Sequence, residues 1–431
     1  MKIALICTEK LPVPPISGGA VQLYIEGILP YLSSQNDITV FSVEHPDLPS
    51  REYGNGIRYV RVPGRTGIKY LEGIKSGLDS SYDLIHIFNR PRWVMPVSGL
   101  FPDSRISLSL HNEMFHPDKI NEAEGLKCIN RVEFINTVSR FIADGVKSRF
   151  PIAEKKLHVV YSGADINRYK PAWTAEGLMN KNRLKAMYGI SNYRVVLYVG
   201  RLSGKKGTHV VLKAMKQVMD SYDDVALVVI GSKWYGKNEM DEYTLSLQKI
   251  AKDLRGPIVF TGFLPPSQVY SHYNIADMFV CASQWQEPLA RVHYEAMAAG
   301  VPIITTNRGG NAEVVSGLGN GIVIDDYYNP DSFAKNIVFL LKDPSSAAQM
   351  GKNGRMLAEK VYNWERVAKE VFAPMAQWKK EPVNVNYKPK SDGTPSTNPL
   401  SSDSSSGNTT FEDMKARTEE QQAGGFFTEE F

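Results

Sequence analysis

The sequence predicts an α/β protein built as two doubly wound blocks, each around a mostly parallel sheet. Three observations carry that reading. Short apolar runs recur up to residue 325, with amphipathic stretches between several of them. This is the pattern of strands buried on both faces and joined by right-handed crossovers. The alternation lapses between residues 165 and 192 and then restarts, which divides the chain in two. Glycine-rich turns follow strand ends in both blocks, and open parallel sheets bind ligands at the carboxyl ends of their strands, so a cleft between the blocks follows.

The first block opens on the apolar run 3–7, closed by Pro12-Val13-Pro14-Pro15-Ile16-Ser17-Gly18-Gly19. Similar runs at 38–43, 57–62, 83–88, 106–110, 134–138 and 157–161 complete its sheet. Residues 21–32 read as an amphipathic helix that Pro30 must kink or end. The second block has runs at 195–199, 226–230, 258–261, 278–282, 302–306 and 321–325, with a helix at 208–219. Residues 364–378 read as one more helix, broken by Pro374. From about Lys379 the chain becomes too polar to offset its own entropy, so 379–431 is expected to be a disordered tail. That tail carries Phe411, Phe426, Phe427 and Phe431, which a pure spacer does not need. The lysine-bearing stretch 67–75 reads as a solvated surface helix in preference to a membrane contact.

Composition bounds the function. The chain has 431 residues, 42% hydrophobic and 22% charged, enough for about two or three domains with sizeable cores. Fifty Lys and Arg against 46 Asp and Glu leave a net charge of only +4, which argues against a dedicated nucleic-acid binder. Cys7, Cys128 and Cys281 lie too far apart for a disulfide framework or a spaced metal set. No apolar run approaches the roughly 20 residues of a membrane span, and the first is too short for a signal peptide. A reducing, cytoplasmic setting is the expectation.

Four constellations carry chemistry. Gly18-Gly19 precede a helix, where glycines admit a phosphate and the helix start offers free N–H groups; an ordinary strand-to-helix turn accommodates the same residues. The loop Gly200-Arg201-Leu202-Ser203-Gly204-Lys205-Lys206-Gly207 follows a buried strand. Its Arg201 fork and Lys206 point charge suit a diphosphate, and it is not a P-loop. In Glu287-Pro288-Leu289-Ala290-Arg291-Val292-His293-Tyr294-Glu295, Pro288 suits a first helical turn and Gly300 its left-handed stop. That places Glu287 at a helix mouth and Glu295 about 12 Å further along, too far apart to share one scissile bond. The two could read opposite ends of one long ligand, or be a dipole-favoured carboxylate and a solvated one. His111 ends a buried strand and could face the cleft or be a hydrogen-bonded loop residue. His86 sits mid-strand and reads as a core histidine.

With these residues in hand, the chain from Met1 to about Trp378 resembles family 4 glycosyltransferases, which have the two-Rossmann-domain GT-B fold. The resemblance rests on Gly18-Gly19, Asn136-Thr137-Val138-Ser139, Tyr161-Ser162-Gly163-Ala164-Asp165, Gly200-Arg201 with Lys206-Gly207, Glu287 and Glu295 with seven residues between, and Gly309-Gly310-Asn311-Ala312-Glu313-Val314. Fragments such as Asn89-Arg90-Pro91-Arg92-Trp93 and Ser283-Gln284-Trp285-Gln286-Glu287 are similar to a spore-coat branch of that family.

The resemblance implies domains at 1–170 (acceptor side) and 190–362 (nucleotide-sugar binding), with 363–378 crossing back to the first. It implies a retaining hexosyltransferase that uses a nucleotide-diphosphate sugar without metal or other cofactor. Glu287 would hold the sugar hydroxyls and Glu295 the ribose. Arg201 and Lys206 would hold the diphosphate beside Gly18 and Gly19, and His111 would line the sugar or acceptor side. Leu289-Ala290 replace the usual Phe-Gly, which implies altered donor choice or weak activity. The implied acceptor is a spore-coat or cell-surface glycan or glycoprotein, with spore-coat proteins as partners through the tail. The rival readings are a structural coat component and a phosphorylase or epimerase on the same fold.

Overall fold

The structure is a computed structural model that describes residues 1–64, 66–233 and 241–377; the expected tail at 379–431 and Trp378 lie outside the described residues. The first sheet comprises β1 (Lys2–Ile6), β2 (Asp37–Val43), β3 (Arg51–Gly54), β4 (Ile57–Val62), β5 (Leu84–Phe88), β6 (Arg105–Leu110), β7 (Ile135–Thr137) and β8 (Leu157–Val159). The second comprises β9 (Arg194–Val199), β10 (Val225–Ile230), β11 (Ile258–Gly262), β12 (Met278–Cys281), β13 (Ile303–Thr306) and β14 (Gly321–Ile324). Their orders are β3-β4-β2-β1-β5-β6-β7-β8 and β11-β10-β9-β12-β13-β14. Every pairing is parallel except β3 with β4. Strand order reverses between β1 and β5 in one sheet and between β9 and β12 in the other. Those two switch points are where crevices open at the carboxyl edge.

Both sheets are buried on both faces along their central strands. In the second, Val196, Val229, Val280 and Ile304 enter one core, whereas Leu197, Val228, Phe279 and Ile303 enter the other. This is the alternation a pleated strand imposes. β3 was not expected, because Arg51, Glu52 and Tyr53 are exposed and give no apolar run. Asn55 and Gly56, both at positive φ, close it onto β4 as a two-residue hairpin. The helix Ala20–Leu32 runs through Pro30, which cannot donate to the Glu26 carbonyl, and stops two residues later.

The last described α-helix, Trp364–Val371, packs against helix Ala20–Leu32 of the first block. Trp364 fills the space over Gly27: a methyl there would lie 2.2 Å from its Cε2. Asn136 Nδ2 donates to the Val371 carbonyl at 2.8 Å. A second tie joins the blocks. The Glu313 carboxylate accepts the N–H groups of Arg140 and Phe141, each at 2.8 Å, at the start of helix Arg140–Arg149, and the Tyr161 hydroxyl at 2.8 Å. A carboxylate at a helix N-terminus meets both free donors and the positive end of the dipole.

His86 is fully buried, as expected, with Nδ1 and Nε2 each 2.7 Å from the hydroxyls of Ser107 and Ser109. Burial pushes its pKa down to about 3.

Two outcomes follow from this packing. Gly27→Ala should lose about 1–3 kcal/mol through overpacking against Trp364. A urea midpoint equal to the parent's would contradict the docking of Trp364 there. Because the folded state holds His86 neutral, its contribution is complete above the ordinary histidine value and declines as pH falls from about 6.5 toward 3. By about pH 5 this one group should cost roughly 2 kcal/mol. His86→Gln should show a smaller loss between neutral pH and pH 5 than the parent, and an equal loss would refute the assignment.

Candidate functional site

The loops that leave the strands at the two switch points bring most of the candidate residues into one region. After β9 the chain runs through Gly200 and Arg201 into a short 3-10 turn, Gly204–Lys206, and then helix Thr208–Ser221. Gly207 has φ +73, and a methyl there would lie 1.9 Å from the Ala282 carbonyl. Only glycine therefore lets this loop lie flat against the end of β12. The approach puts Lys206 Nζ 2.6 Å from Glu287 Oε2. Arg201 opens the loop that Lys206 closes, and both carbonyls accept from the Tyr198 hydroxyl, at 3.4 and 3.2 Å.

Glu287 lies on the loop after β12 and is 6% exposed. Three donors converge on its Oε2: Lys206 Nζ, Trp285 Nε1 at 2.8 Å and Ser283 Oγ at 3.0 Å. Burial pushes the carboxyl up, but the Lys206 ammonium and the two neutral donors outweigh it and hold the group below its ordinary value. The side chain is therefore an ionised carboxylate at neutral pH, with one oxygen committed. Oε1 accepts no hydrogen bond from the described residues and is not sealed from solvent.

The helix after Glu287 starts later than the sequence indicates. It spans Val292–Ala298, so Pro288 lies outside its first turn and Glu295 falls inside it. The reason is a competing set of backbone partners. The Glu287 carbonyl accepts Gly310 N–H at 2.8 Å, and Ala290 N–H donates to Asn311 Oδ1 at 3.0 Å. Gly309, at φ +56, comes so close that a methyl would sit 2.0 Å from the Glu287 oxygen. Residues 287–290 are thus bound to the loop after β13 instead of coiling. Gly300 does provide the left-handed stop, at φ +70.

Glu295 is 8% exposed and belongs to a different set of contacts from Glu287. Its Oε2 accepts the Tyr273 hydroxyl at 3.0 Å, and Arg291 Nη2 lies 3.8 Å from Oε1. Arg291 is the residue that the sequence reading missed. Its Nη1 donates to Ser162 Oγ at 2.9 Å, and its guanidinium lies 5.1 Å from the Trp364 ring. The available signal was a cation midway between the two glutamates.

Arg291 also lines a small pocket with Ala20, His111, Val138, Ser162, Leu289 and Tyr294, drawn from both blocks. Gly18 and Gly19, at φ +88 and +102, set the chain for the helix that begins at Ala20. Leu289 and Ala290 are both buried, Leu289 on the pocket wall. His111 follows β6, its ring edge-on to Tyr24 at 4.8 Å and tilted over Phe88 at 5.9 Å. Burial, and secondarily Arg291, pushes its pKa down to about 3, so the imidazole is neutral. Its Nε2 is buried without a partner. Among the described residues, no cluster of three or more His, Cys, Asp or Glu side chains is arranged to hold a metal ion.

Comparison with known proteins identifies the family. Residues 180–357 match the family model described as glycosyl transferases group 1. The chain is 44% identical over 374 residues to spore coat protein SA of Bacillus subtilis, covering 86% of this chain and 98% of that protein. It is 45% identical to the putative glycosyltransferase YtcC of the same organism, covering 86% and 91%. Among solved structures it is similar to sucrose-phosphate synthase from Thermosynechococcus elongatus (TM-score 0.70, 20% identity, 88% and 98% covered). It is also similar to Anabaena HepE in complex with UDP-glucose (TM-score 0.69, 19% identity, 87% and 99% covered). The likeness to these structures gives the fold, GT-B. The chain belongs to the glycosyl transferases group 1 family and is a glycosyltransferase.

Proposed function

We propose that the chain is a retaining transferase of family 4 that moves a sugar from a nucleotide-diphosphate donor to a glycan or glycoprotein at a spore or cell surface. The observation that carries this reading is the buried Glu287 carboxylate, clamped through Oε2 by Lys206, Trp285 and Ser283. A carboxylate fixed in that way offers Oε1 to the hydroxyls of a sugar. The Lys206 ammonium, at the same spot, faces the developing charge of a leaving diphosphate. Arg201 and the N–H groups at the Gly19–Ala20 helix start add to that positive field, which takes the part a metal ion plays elsewhere.

In the transfer step the bond from the anomeric carbon to the diphosphate oxygen breaks, and its electron pair stays on the diphosphate. The acceptor oxygen attacks from the same face and passes its proton to a diphosphate oxygen. Neutral His111 presents Nε2 as a hydrogen-bonding group on the sugar or acceptor side. Glu295, held by Tyr273 and Arg291, is assigned to the ribose. The UDP-glucose of the HepE complex supports a nucleotide-sugar donor, and the name of the Bacillus subtilis spore coat relative supports a coat acceptor. That same name favours one second reading, a coat component with little or no turnover.

Purified chain should hydrolyse or transfer from at least one of UDP-, GDP- and ADP-sugars. Glu287→Gln should lower kcat by about 10²-fold or more, because the charge that organises the site is lost. Binding of the free nucleoside diphosphate should stay within a few-fold. Arg201→Ala should instead weaken diphosphate binding by about tenfold, the loss of one charge-assisted contact. Tight nucleoside-diphosphate binding without turnover would favour the coat component, and binding of none of the three would contradict both roles of the cleft.

A further inference from the structure

We infer that Asn89 is a positioning residue for His111, fixing the histidine at the carboxyl edge of the first sheet by a side-chain bridge between the ends of β5 and β6. The inference rests on the proposed place of His111 beside the sugar. Asn89 is one of two non-glycine residues at positive φ among the described residues, at +57. The other, Asn55, is accounted for by its hairpin, whereas Asn89 lies 4% exposed directly after β5, at the first sheet's switch point. Asparagine tolerates the left-handed region better than most residues, yet a buried instance needs a reason.

The contacts supply it. Asn89 Oδ1 accepts two backbone N–H groups, from His111 at 3.0 Å and Asn112 at 3.2 Å. Its own N–H donates to the Ser109 carbonyl at 2.7 Å. The left-handed turn thus points the carboxamide oxygen at the next strand's exit, and two otherwise unpaired amides are satisfied by one atom. Phe88, the neighbour in sequence, packs on the His111 ring at 5.9 Å. One dipeptide therefore holds the backbone of the histidine and packs on its ring, and Tyr24 meets the same ring edge-on at 4.8 Å.

The turn is itself braced. Arg90 Nη1 donates to the Asn89 carbonyl at 2.8 Å. The rest of the Arg90 fork grips Glu9 bidentately, at 2.9 and 2.7 Å. Glu9 leaves the end of β1, so three strand ends are linked through to His111. Bidentate arginine–carboxylate pairs are geometrically specific, and a group held by such a shell keeps its orientation when a ligand arrives.

The test separates conformation from hydrogen bonding. Asn89→Gly keeps the left-handed backbone and removes the acceptor oxygen; Asn89→Asp keeps both. In full-length chain labelled at histidine Cε1, with the His111 signal identified by its loss in His111→Gln, the glycine variant should move that resonance and the aspartate variant should leave it near its original position. With whichever nucleotide sugar the parent hydrolyses, Asn89→Gly should lower kcat by about tenfold to a hundredfold, as a small misplacement does. Binding of UDP, GDP or ADP should stay within about twofold. Asn89→Asp should restore most of the rate, and Asn89→Gly should add little to the loss in His111→Gln. An unmoved His111 resonance in Asn89→Gly, or additive losses in the double variant, would overturn the inference. Failure of all three nucleoside diphosphates to bind contradicts the proposed function instead, and the His111 resonance still decides the role of Asn89.

Discussion

An ionised carboxylate that is 6% exposed needs donors in place before any ligand arrives, and the placement of Glu287 follows from that requirement. Lys206, Trp285 and Ser283 meet it together at one oxygen. To deliver Lys206, the loop after β9 must touch the end of β12, which is why Gly207 admits no side chain. To hold the Glu287 backbone still, the loop after β13 must press against it through Gly309 and Gly310. Three loops from one sheet edge are thus fixed by the demands of a single charge.

The same constraint reaches the other block. Three residues beyond Gly310, Glu313 receives the first amides of helix Arg140–Arg149. A methyl on Gly310 would meet Ser139, the residue that caps that helix. The loop that steadies Glu287 therefore also joins the two sheets, and Arg291 makes a parallel connection through Ser162 and Trp364. Diphosphate chemistry gains from such stiffness, because donors that are already oriented need no rearrangement as charge develops.

Much of this was legible in the residues. Strands buried on both faces announce themselves as apolar runs, and thirteen of the fourteen strands among the described residues lie where such runs occur. β3 escaped because an edge strand facing solvent has no apolar signature. Its hairpin does carry a turn signal, Asn55-Gly56, although the same dipeptide recurs at Asn320-Gly321 and, inside a helix, at Asn353-Gly354. The start of the helix after Glu287 was misplaced for another reason. Pro288 fits a first turn locally, but tertiary hydrogen bonds to Gly310 and Asn311 take the backbone first. The pairing of Lys206 with Glu287 spans 81 residues, and no local pattern encodes it. Glu295 illustrates the converse: its spacing from Glu287 was plain, but its partners Tyr273 and Arg291 were not. Asn89 was visible only as part of a resemblance, since positive φ cannot be read from one asparagine.

The most direct test of the account is a crystal structure of the chain with an intact nucleotide sugar. It should place the diphosphate against Arg201 and Lys206, a sugar hydroxyl within hydrogen-bond distance of Glu287 Oε1, and the Oε2 contacts to Trp285 and Ser283 unbroken. A nucleotide bound away from the Lys206–Glu287 pair, or a sugar with no contact to that carboxylate, would contradict it.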